Sequence, residues 1–155
     1  MKDRKPMHDN WKTPAYLLAD IEAEFGKFFD PCPLNLEAIT PETNGLLKEW
    51  ASVNYINPPY NRLDKEAFIR KAYSESLKGN TCIMLLPVST STKIFHEVIY
   101  PNAEIRFLKG RVKFEGINSF GKLVSNKCGM HDTMMVIFKK VLKDELKEVN
   151  LNGKE

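Results

Sequence analysis

The apolar residues of this chain recur with helical spacing in some stretches and as short continuous runs in others. Helical spacing predicts three helices, over residues 14–25, 64–77 and 94–99. Continuous apolar runs and alternation predict strands at 28–29, 53–56, 81–86, 104–108, 111–114 and 133–138. Alternation of helices and strands along a chain is typical of an α/β layered sheet.

Local residues mark where several of these elements begin and end. Thr13 followed by Pro14 predicts a capped helix start, and Gly26 predicts its end. Asp64 is the predicted cap of the second helix. Residues 115–131 contain three glycines and little periodicity, which favours a mobile loop, and 34–50 is too weakly patterned to place a strand.

The length of 155 residues favours one domain, over 11–140, with a flexible arm at 1–10 and a charged tail or short helix at 141–155. The chain contains no apolar run of membrane-spanning length, and its first ten residues do not resemble a signal peptide, so a cytoplasmic protein is expected. The three cysteines are far apart in the sequence, and no pair has zinc-site spacing. Reduced thiols and no metal site are therefore expected.

Charge is distributed unevenly. Residues 1–50 carry six basic and nine acidic side chains, whereas residues 61–140 carry fourteen basic and seven acidic ones. A basic second half suits a polyanionic partner such as DNA, and a solvated basic surface is the alternative.

The tetrapeptide Asn57-Pro58-Pro59-Tyr60 follows the strand predicted at 53–56, where open α/β sheets bind ligands. Methylation of an exocyclic amine needs acceptors for its two N–H bonds, because its lone pair is delocalised into the ring. The Asn57 side-chain oxygen and the Pro58 carbonyl can provide them, since consecutive prolines cannot continue a ladder. Tyr60 can stack on the base, which is worth about 1–3 kcal/mol. The alternative is that the tetrapeptide is only a turn.

Several motifs in one order resemble the small phage-type DNA N6-adenine methyltransferases, the phage Dam family. They are Trp11-Lys12-Thr13-Pro14, Phe29-Asp30-Pro31-Cys32-Pro33, Asn44-Gly45-Leu46 with Trp50, Asn57-Pro58-Pro59-Tyr60, Gly110-Arg111-Val112-Lys113-Phe114 and Met134 to Phe138. The resemblance implies a compact Rossmann-like methyltransferase fold, with a mixed, mostly parallel sheet and helices on both faces. It also implies methyl transfer from S-adenosyl-L-methionine to adenine N6 in double-stranded DNA, with the target base flipped into the tetrapeptide pocket.

The same resemblance, together with the preference of anions for helix N-termini, assigns donor-binding residues. They are Trp11, Lys12, Thr13, Pro14, Asp30, Pro31, Cys32 and Asn57. Asp30 would face the α-amino group of the donor. The chain has no Gly-x-Gly after the first strand, so the exact contacts to the donor are not transferred from other methyltransferases. Glu37, Glu42 and Asn44 all remain candidates for binding the ribose.

Basic residues after the tetrapeptide are candidates for DNA phosphate contacts. They are Arg62, Arg106, Lys109, Arg111 and Lys113. In the 111–114 stretch cations alternate with apolar residues, so Arg111 and Lys113 are expected on one face. Such contacts position DNA without reading its sequence. Groove contacts are expected from 115–131, from Ser89 to Thr92 or from 34–43.

Three alternatives to adenine methylation remain. The same acceptor geometry serves cytosine N4, a related tetrapeptide serves glutamine methylation in proteins, and a non-catalytic phage accessory protein would bind DNA or donor only. Direct transfer needs no covalent intermediate, so no catalytic cysteine is expected. We expect a monomer, with a homodimer as the alternative.

Overall fold

The computed structural model describes residues 11–33, 41–117, 122–128 and 131–139. The predicted arm at 1–10 and the predicted tail at 141–155 lie outside these ranges. The helices are α1 (Ala15–Phe25), α2 (Arg62–Leu77) and α3 (Tyr100–Asn102), with a 3-10 turn at Gly45–Leu47 and a π-helix at Phe95–Ile99. The strands are β1 (Trp11–Lys12), β2 (Val53–Ile56), β3 (Thr81–Pro87), β4 (Glu104–Phe107), β5 (Lys113–Ile117), β6 (Leu123–Cys128) and β7 (Thr133–Phe138).

The larger sheet has the strand order β2-β3-β7-β4. β2 pairs parallel with β3, whereas β7 runs antiparallel to both of its neighbours. A parallel bridge from Phe29 to Asn54 extends the sheet beyond β2. All six residues of β7 are buried, which explains why the sequence is continuously apolar from Met134 to Phe138. The predicted α/β architecture with a mixed sheet is therefore confirmed.

Alternate residues of the central strands enter two separate hydrophobic clusters. Cys82, Met84 and Leu86 pack in the cluster that contains Phe68 and Ile69 of α2. Ile83 and Leu85 pack in the cluster that contains Leu17 and Ile21 of α1. Because successive side chains of a strand point to opposite faces, the two clusters receive residues of β3 from opposite faces of that strand, and α1 and α2 belong to different clusters.

Both predicted helix caps are wrong in detail. The residue before α1 is Pro14, which makes no side-chain cap bond, and the Thr13 hydroxyl is used elsewhere. The cap of α2 lies three residues earlier than predicted, because the Asn61 side-chain oxygen accepts a hydrogen bond from the backbone N–H of Asp64. An asparagine side chain caps a helix as well as an aspartate does, so residue type alone did not distinguish the two.

The loop predicted over 115–131 is wrong for its described residues. β5 and β6 form an antiparallel pair, and β1 joins β5 to give a second, three-stranded sheet. Gly116 lies opposite Trp11 in this pairing, and a side chain at Gly116 would approach the indole ring within 2.5 Å. The glycine that weakened the strand pattern is thus the residue that lets Trp11 pack on β5.

The third predicted helix does not end before Pro101. Tyr100 donates its backbone N–H to the carbonyl of Phe95, five residues earlier, and the chain stays helical through Asn102. Proline in a regular α-helix clashes with the carbonyl four residues before it. The wider π turn accommodates that ring, so the helix continues past the proline.

Candidate active site

The tetrapeptide Asn57-Pro58-Pro59-Tyr60 follows β2 directly, at its carboxyl end, as the sequence predicted. Pro58 and Pro59 are buried, and Asn57 and Tyr60 are half-buried. β2 and β3 run parallel with Ile56 opposite Met84, so the tetrapeptide and the end of β3 lie at the same edge of the sheet. Open α/β sheets bind their ligands at this edge.

The side chain of Asn57 is oriented by two hydrogen bonds. Its amide nitrogen donates to the carbonyl of Trp11 at 2.5 Å and to Thr13 Oγ1 at 3.3 Å. The amide has two N–H bonds, so both are used. Asn57 Oδ1 accepts no hydrogen bond from the described residues, and it is therefore available as an acceptor for a ligand.

Tyr55 is a site residue that the sequence reasoning did not single out. Its hydroxyl lies 2.5 Å from Thr13 Oγ1, and the residue is only 2 % exposed. Burial raises the pKa of the Tyr55 phenol, which therefore stays neutral. The alternation of β2 contained a signal for it: Tyr55 is two residues before Asn57 and so shares its face.

We expect Tyr55→Phe to lower the rate of the methyl transfer that the family resemblance implies several-fold while leaving the fold intact. The substitution removes the hydroxyl that fixes Thr13, and Thr13 in turn fixes Asn57. One neutral hydrogen bond contributes about 1 kcal/mol, or about five-fold in rate. Steady-state kinetics would show a lower kcat with a smaller change in KM. A loss of activity that occurs only where the melting temperature also falls would instead indicate a purely structural tyrosine.

Tyr60 is held at the same edge. Its ring makes a T-shaped contact with Phe114 of β5, with ring centroids 6.3 Å apart and planes at 81°. Burial raises the pKa of Tyr60 to about 12, so the ring is uncharged at neutral pH. A neutral, partly exposed aromatic ring next to a free carboxamide oxygen suits a flat heteroaromatic ligand.

Asp30 follows the Phe29 bridge and is half-buried. Its Oδ1 accepts a hydrogen bond from the backbone N–H of Cys32 at 2.8 Å. Burial raises the pKa of Asp30 to about 6, against the smaller opposing effect of that hydrogen bond. The charge of Asp30 adds to burial in raising the pKa of Tyr55, which places the carboxyl near the Tyr55–Thr13–Asn57 chain. Among the described residues, no lysine or arginine pairs with it.

The segment that carries Asp30 packs closely against the backbone at Gly45. A methyl group at Gly45 would lie 1.7 Å from the Pro31 carbonyl oxygen, so only glycine fits there. The Trp50 indole N–H donates to the Gly45 carbonyl at 2.9 Å. The 3-10 turn is capped by Asn44, whose Oδ1 accepts from the backbone N–H of Leu46 at 3.0 Å. The residues after Asp30 are thereby fixed in place by residues 44–50.

We expect Gly45→Ala to destabilise the protein by more than about 2 kcal/mol, because overpacking against a backbone atom forces the chain apart. Chemical denaturation would measure the change in the free energy of unfolding. We also expect weaker binding of S-adenosylhomocysteine, the demethylated form of the donor that the family resemblance implies, by the folded variant, since Pro31 and its neighbour Asp30 must move. Wild-type stability would contradict the packing inferred at this position.

Cys32 lacks the properties of a catalytic nucleophile. Burial raises the pKa of the Cys32 thiol to about 12, which suppresses the nucleophilic thiolate.

Among the candidates for binding the ribose, the Asn44 side-chain oxygen accepts a hydrogen bond from the backbone N–H of Leu46, and Glu42 is exposed. Glu37 lies outside the described residues. The choice of ribose-binding residue therefore stays open.

The predicted DNA-contacting cations are in different situations. Arg106 is held by Glu24 at 2.7 and 2.8 Å and by Glu104 at 2.6 Å, so a phosphate would compete with two carboxylates. Arg62 pairs with Glu66 at 3.1 Å, and Arg111 approaches Asp132 at 3.6 Å.

The alternation predicted for β5 and the residues before it is confirmed. Lys109, Arg111 and Lys113 are exposed, whereas Val112 and Phe114 are buried in the cluster beneath α1. The cations before and within β5 therefore face solvent.

The described residues also bear on metal binding and on membrane insertion. No cluster of three histidine, cysteine, aspartate or glutamate side chains suited to a metal ion occurs within the described ranges. Of the helices in the part of the chain that the structure describes, none has the length and apolarity to cross a membrane.

Comparison with known proteins identifies the family. The chain matches the family model described as DNA N-6-adenine-methyltransferase (Dam) over residues 1–154, so it belongs to that family. It is 32% identical over 117 residues to a DNA N-6-adenine-methyltransferase of Escherichia phage T1. That match covers 66% of this chain and 46% of the phage protein, so the chain spans about half the length of this relative. No solved structure matches the chain significantly.

Proposed function

We propose that this protein transfers a methyl group from S-adenosyl-L-methionine to the exocyclic N6 of adenine in double-stranded DNA. Family membership supports the reaction class. The observation that carries the assignment is the orientation of Asn57. Both of its N–H bonds are used by Trp11 and Thr13, and its oxygen is left free at the edge of the sheet.

The residues of the tetrapeptide perform the orienting step. Asn57 Oδ1 and the Pro58 carbonyl accept hydrogen bonds from the two N–H groups of the target amine, and these bonds draw the nitrogen toward a tetrahedral geometry. Tyr60 stacks on the extruded base and offsets part of the cost of removing it from the duplex. Pro59 keeps the turn rigid, because its φ is fixed. When bound, S-adenosylmethionine supplies an electrophilic methyl group.

The proposed donor site combines the segment before α1 with the segment that carries Asp30. A half-buried carboxyl without a cationic partner among the described residues fits the α-ammonium group of the donor, and Asp30 is such a group. The segment before α1 contacts Asn57 through Trp11 and Thr13. Trp11, Lys12, Pro31 and Cys32 complete the proposed surface, with no catalytic thiol required.

We further infer that the fold is a compact Rossmann-like methyltransferase fold. The larger sheet is mixed: β2, β3 and β4 run in the same direction, and β7 runs in the opposite direction. α1 packs in one hydrophobic cluster and α2 in the other. Both the tetrapeptide and Asp30 follow strands that run parallel, so they meet at one edge, as ligand-binding groups do in open α/β sheets.

The proposed DNA surface uses the exposed cations Arg62, Lys109, Arg111 and Lys113. Arg106 contributes less, because Glu24 and Glu104 already neutralise it.

One assay tests the reaction. Labelled S-adenosylmethionine is incubated with unmethylated duplex DNA, and the product is hydrolysed to nucleosides. We expect label in N6-methyladenosine. Label in N4-methylcytosine would support the alternative base, since the same acceptors serve that amine. DNA without label, under conditions in which the protein binds both DNA and donor, would leave a binding protein.

A further inference from the structure

A cleft of about 320 Å³ lies on the α2 side of the sheet, at the carboxyl end of β3. Its floor is apolar and is formed by residues of the hydrophobic cluster that contains Phe68 and Ile69 of α2. Among these floor residues are Leu86, Phe95 and Met134. Its rim is polar and comes from two elements, the first turns of α2 and the connection that follows β3. The rim residues are Arg62, Lys65, Glu66, Ser89, Thr92 and Lys93.

The rim carries three cations and one carboxylate, so its net charge is positive. Arg62 is paired with Glu66 at 3.1 Å, and Lys93 approaches Glu97 at 3.7 Å. Lys65 forms no ion pair with any described residue. The Thr92 hydroxyl donates to the Ser89 carbonyl at 2.9 Å, whereas the Ser89 hydroxyl has no partner among the described residues. Lys65 and the Ser89 hydroxyl therefore have no competing partner among the described residues, and Lys93 is held only by one exposed pair with Glu97.

The cleft and the donor-side residues lie on opposite faces of the same sheet edge. Asn57 hydrogen-bonds to Trp11 and Thr13, beside the α1-side cluster. Only Asn61 separates the tetrapeptide from Arg62, the first residue of α2 and part of the cleft rim. A nucleic-acid strand that delivers a base to Tyr60 would thus have its backbone within reach of the rim.

We propose that this cleft binds the sugar-phosphate backbone of the DNA strand that carries the target adenine, with Lys65, Lys93 and Ser89 as contacts to one phosphate group. The inference rests on the proposed function and adds a second site to it. The phosphate binds the ammonium groups and the hydroxyl, and the deoxyribose carbons contact the apolar floor. Such contacts fix the position of the strand without reading its sequence.

Salt dependence of DNA binding tests the proposal directly. Each phosphate contact neutralised by a cation contributes about −0.9 to the slope of log K against log salt concentration. We expect the Lys65→Gln and Lys93→Gln variants each to weaken binding of a fluorescent duplex in the presence of S-adenosylhomocysteine. Each is expected to make the slope less negative by up to about 0.9, because the two lysines share one phosphate.

Arg70→Gln is the matched control. Arg70 is an exposed cation on the same helix, α2, and does not line the cleft. The Arg70→Gln substitution removes one positive charge but leaves the rim of the cleft intact. The slope of log K against log salt concentration should therefore remain that of the wild type. Circular dichroism confirms that each variant is folded. A slope in the lysine variants equal to that of Arg70→Gln would overturn the proposal.

The two proposals can fail separately. Wild-type methyl transfer is measured on the same duplex. A reduced slope in the lysine variants together with no methyl transfer by the wild type would keep the cleft and reject the enzyme. Normal transfer by the wild type together with unchanged slopes would keep the enzyme and reject the cleft. Binding of the cleft to an acidic protein instead of DNA would give this second result.

Discussion

Asn57→Ala is expected to reduce methyl transfer by about 10²- to 10³-fold, the largest effect of any single substitution in the site. Removal of one preorganised hydrogen-bonding group that acts on the reacting atoms costs about 3–4 kcal/mol in other enzymes. Asn57 Oδ1 is such a group, because both of its N–H bonds are already used to fix the side chain. The alanine variant cannot pull the amine nitrogen out of conjugation.

The measurement separates chemistry from binding. Single-turnover transfer to duplex DNA gives the rate, and calorimetry with S-adenosylhomocysteine gives the donor affinity, which we expect to fall less. Asn102→Ala is the matched control, since Asn102 lies just before β4, at the amino end of a strand parallel to β3. Wild-type turnover in Asn57→Ala would remove the basis of the assigned chemistry.

The second large effect is expected at Asp30, through the pH dependence of donor binding. Burial raises the pKa of Asp30 to about 6, so the carboxyl is protonated below that pH and ionised above it. The proposed partner, an α-ammonium group, binds only the ionised form. Donor affinity should therefore be high at pH 7 and fall as the pH drops through about 6.

Asp30→Asn should abolish this dependence and weaken donor binding about 10- to 100-fold at pH 7, because hydrogen bonds to charged groups contribute about 1.5–3 kcal/mol. Titration calorimetry with S-adenosylhomocysteine between pH 5 and 8 measures both quantities. Asp20→Asn provides the control, since Asp20 is an exposed acid on α1. A variant whose affinity still changed between pH 5 and 7 as in the wild type would assign the titration to another group.

The same pKa has a consequence for stability without donor. The folded state holds the Asp30 proton up to about pH 6, whereas an unfolded chain releases it near the ordinary value of about 4. The folded state therefore binds more protons in that window, and the free energy of unfolding falls as the pH rises from about 4 to about 6. Asp30→Asn should remove this slope, which denaturation at a series of pH values would show.

Sequence reasoning predicted the elements whose signals are local and uninterrupted. The run at 82–86 is apolar throughout because β3 is buried on both faces, and Met134 to Phe138 is apolar for the same reason. The position of the tetrapeptide after β2 followed from the strand before it. The involvement of Trp11 and Thr13 in one site with Asn57 was expected from family resemblance together with the preference of anions for helix N-termini.

The remaining features depend on contacts between residues far apart in the chain. Thr13 looks like a cap in sequence, and its use by Tyr55 becomes visible only when β2 and the start of α1 are side by side. The β5–β6 pairing was missed because Gly116, which accommodates Trp11, interrupts the apolar pattern. The commitment of Arg106 to Glu24 spans 82 residues and has no local signal.

The position of β7 in the sheet bears on how the protein is made. β3 and β4 are separated in the sheet by a strand that the ribosome synthesises after both of them. Until that strand emerges, neither hydrophobic cluster can close, because Val136 and Phe138 complete one and Met135 and Ile137 complete the other. Long-range pairing of this kind slows folding. The nascent chain therefore leaves one edge of β3 unpaired at least until translation has passed residue 138.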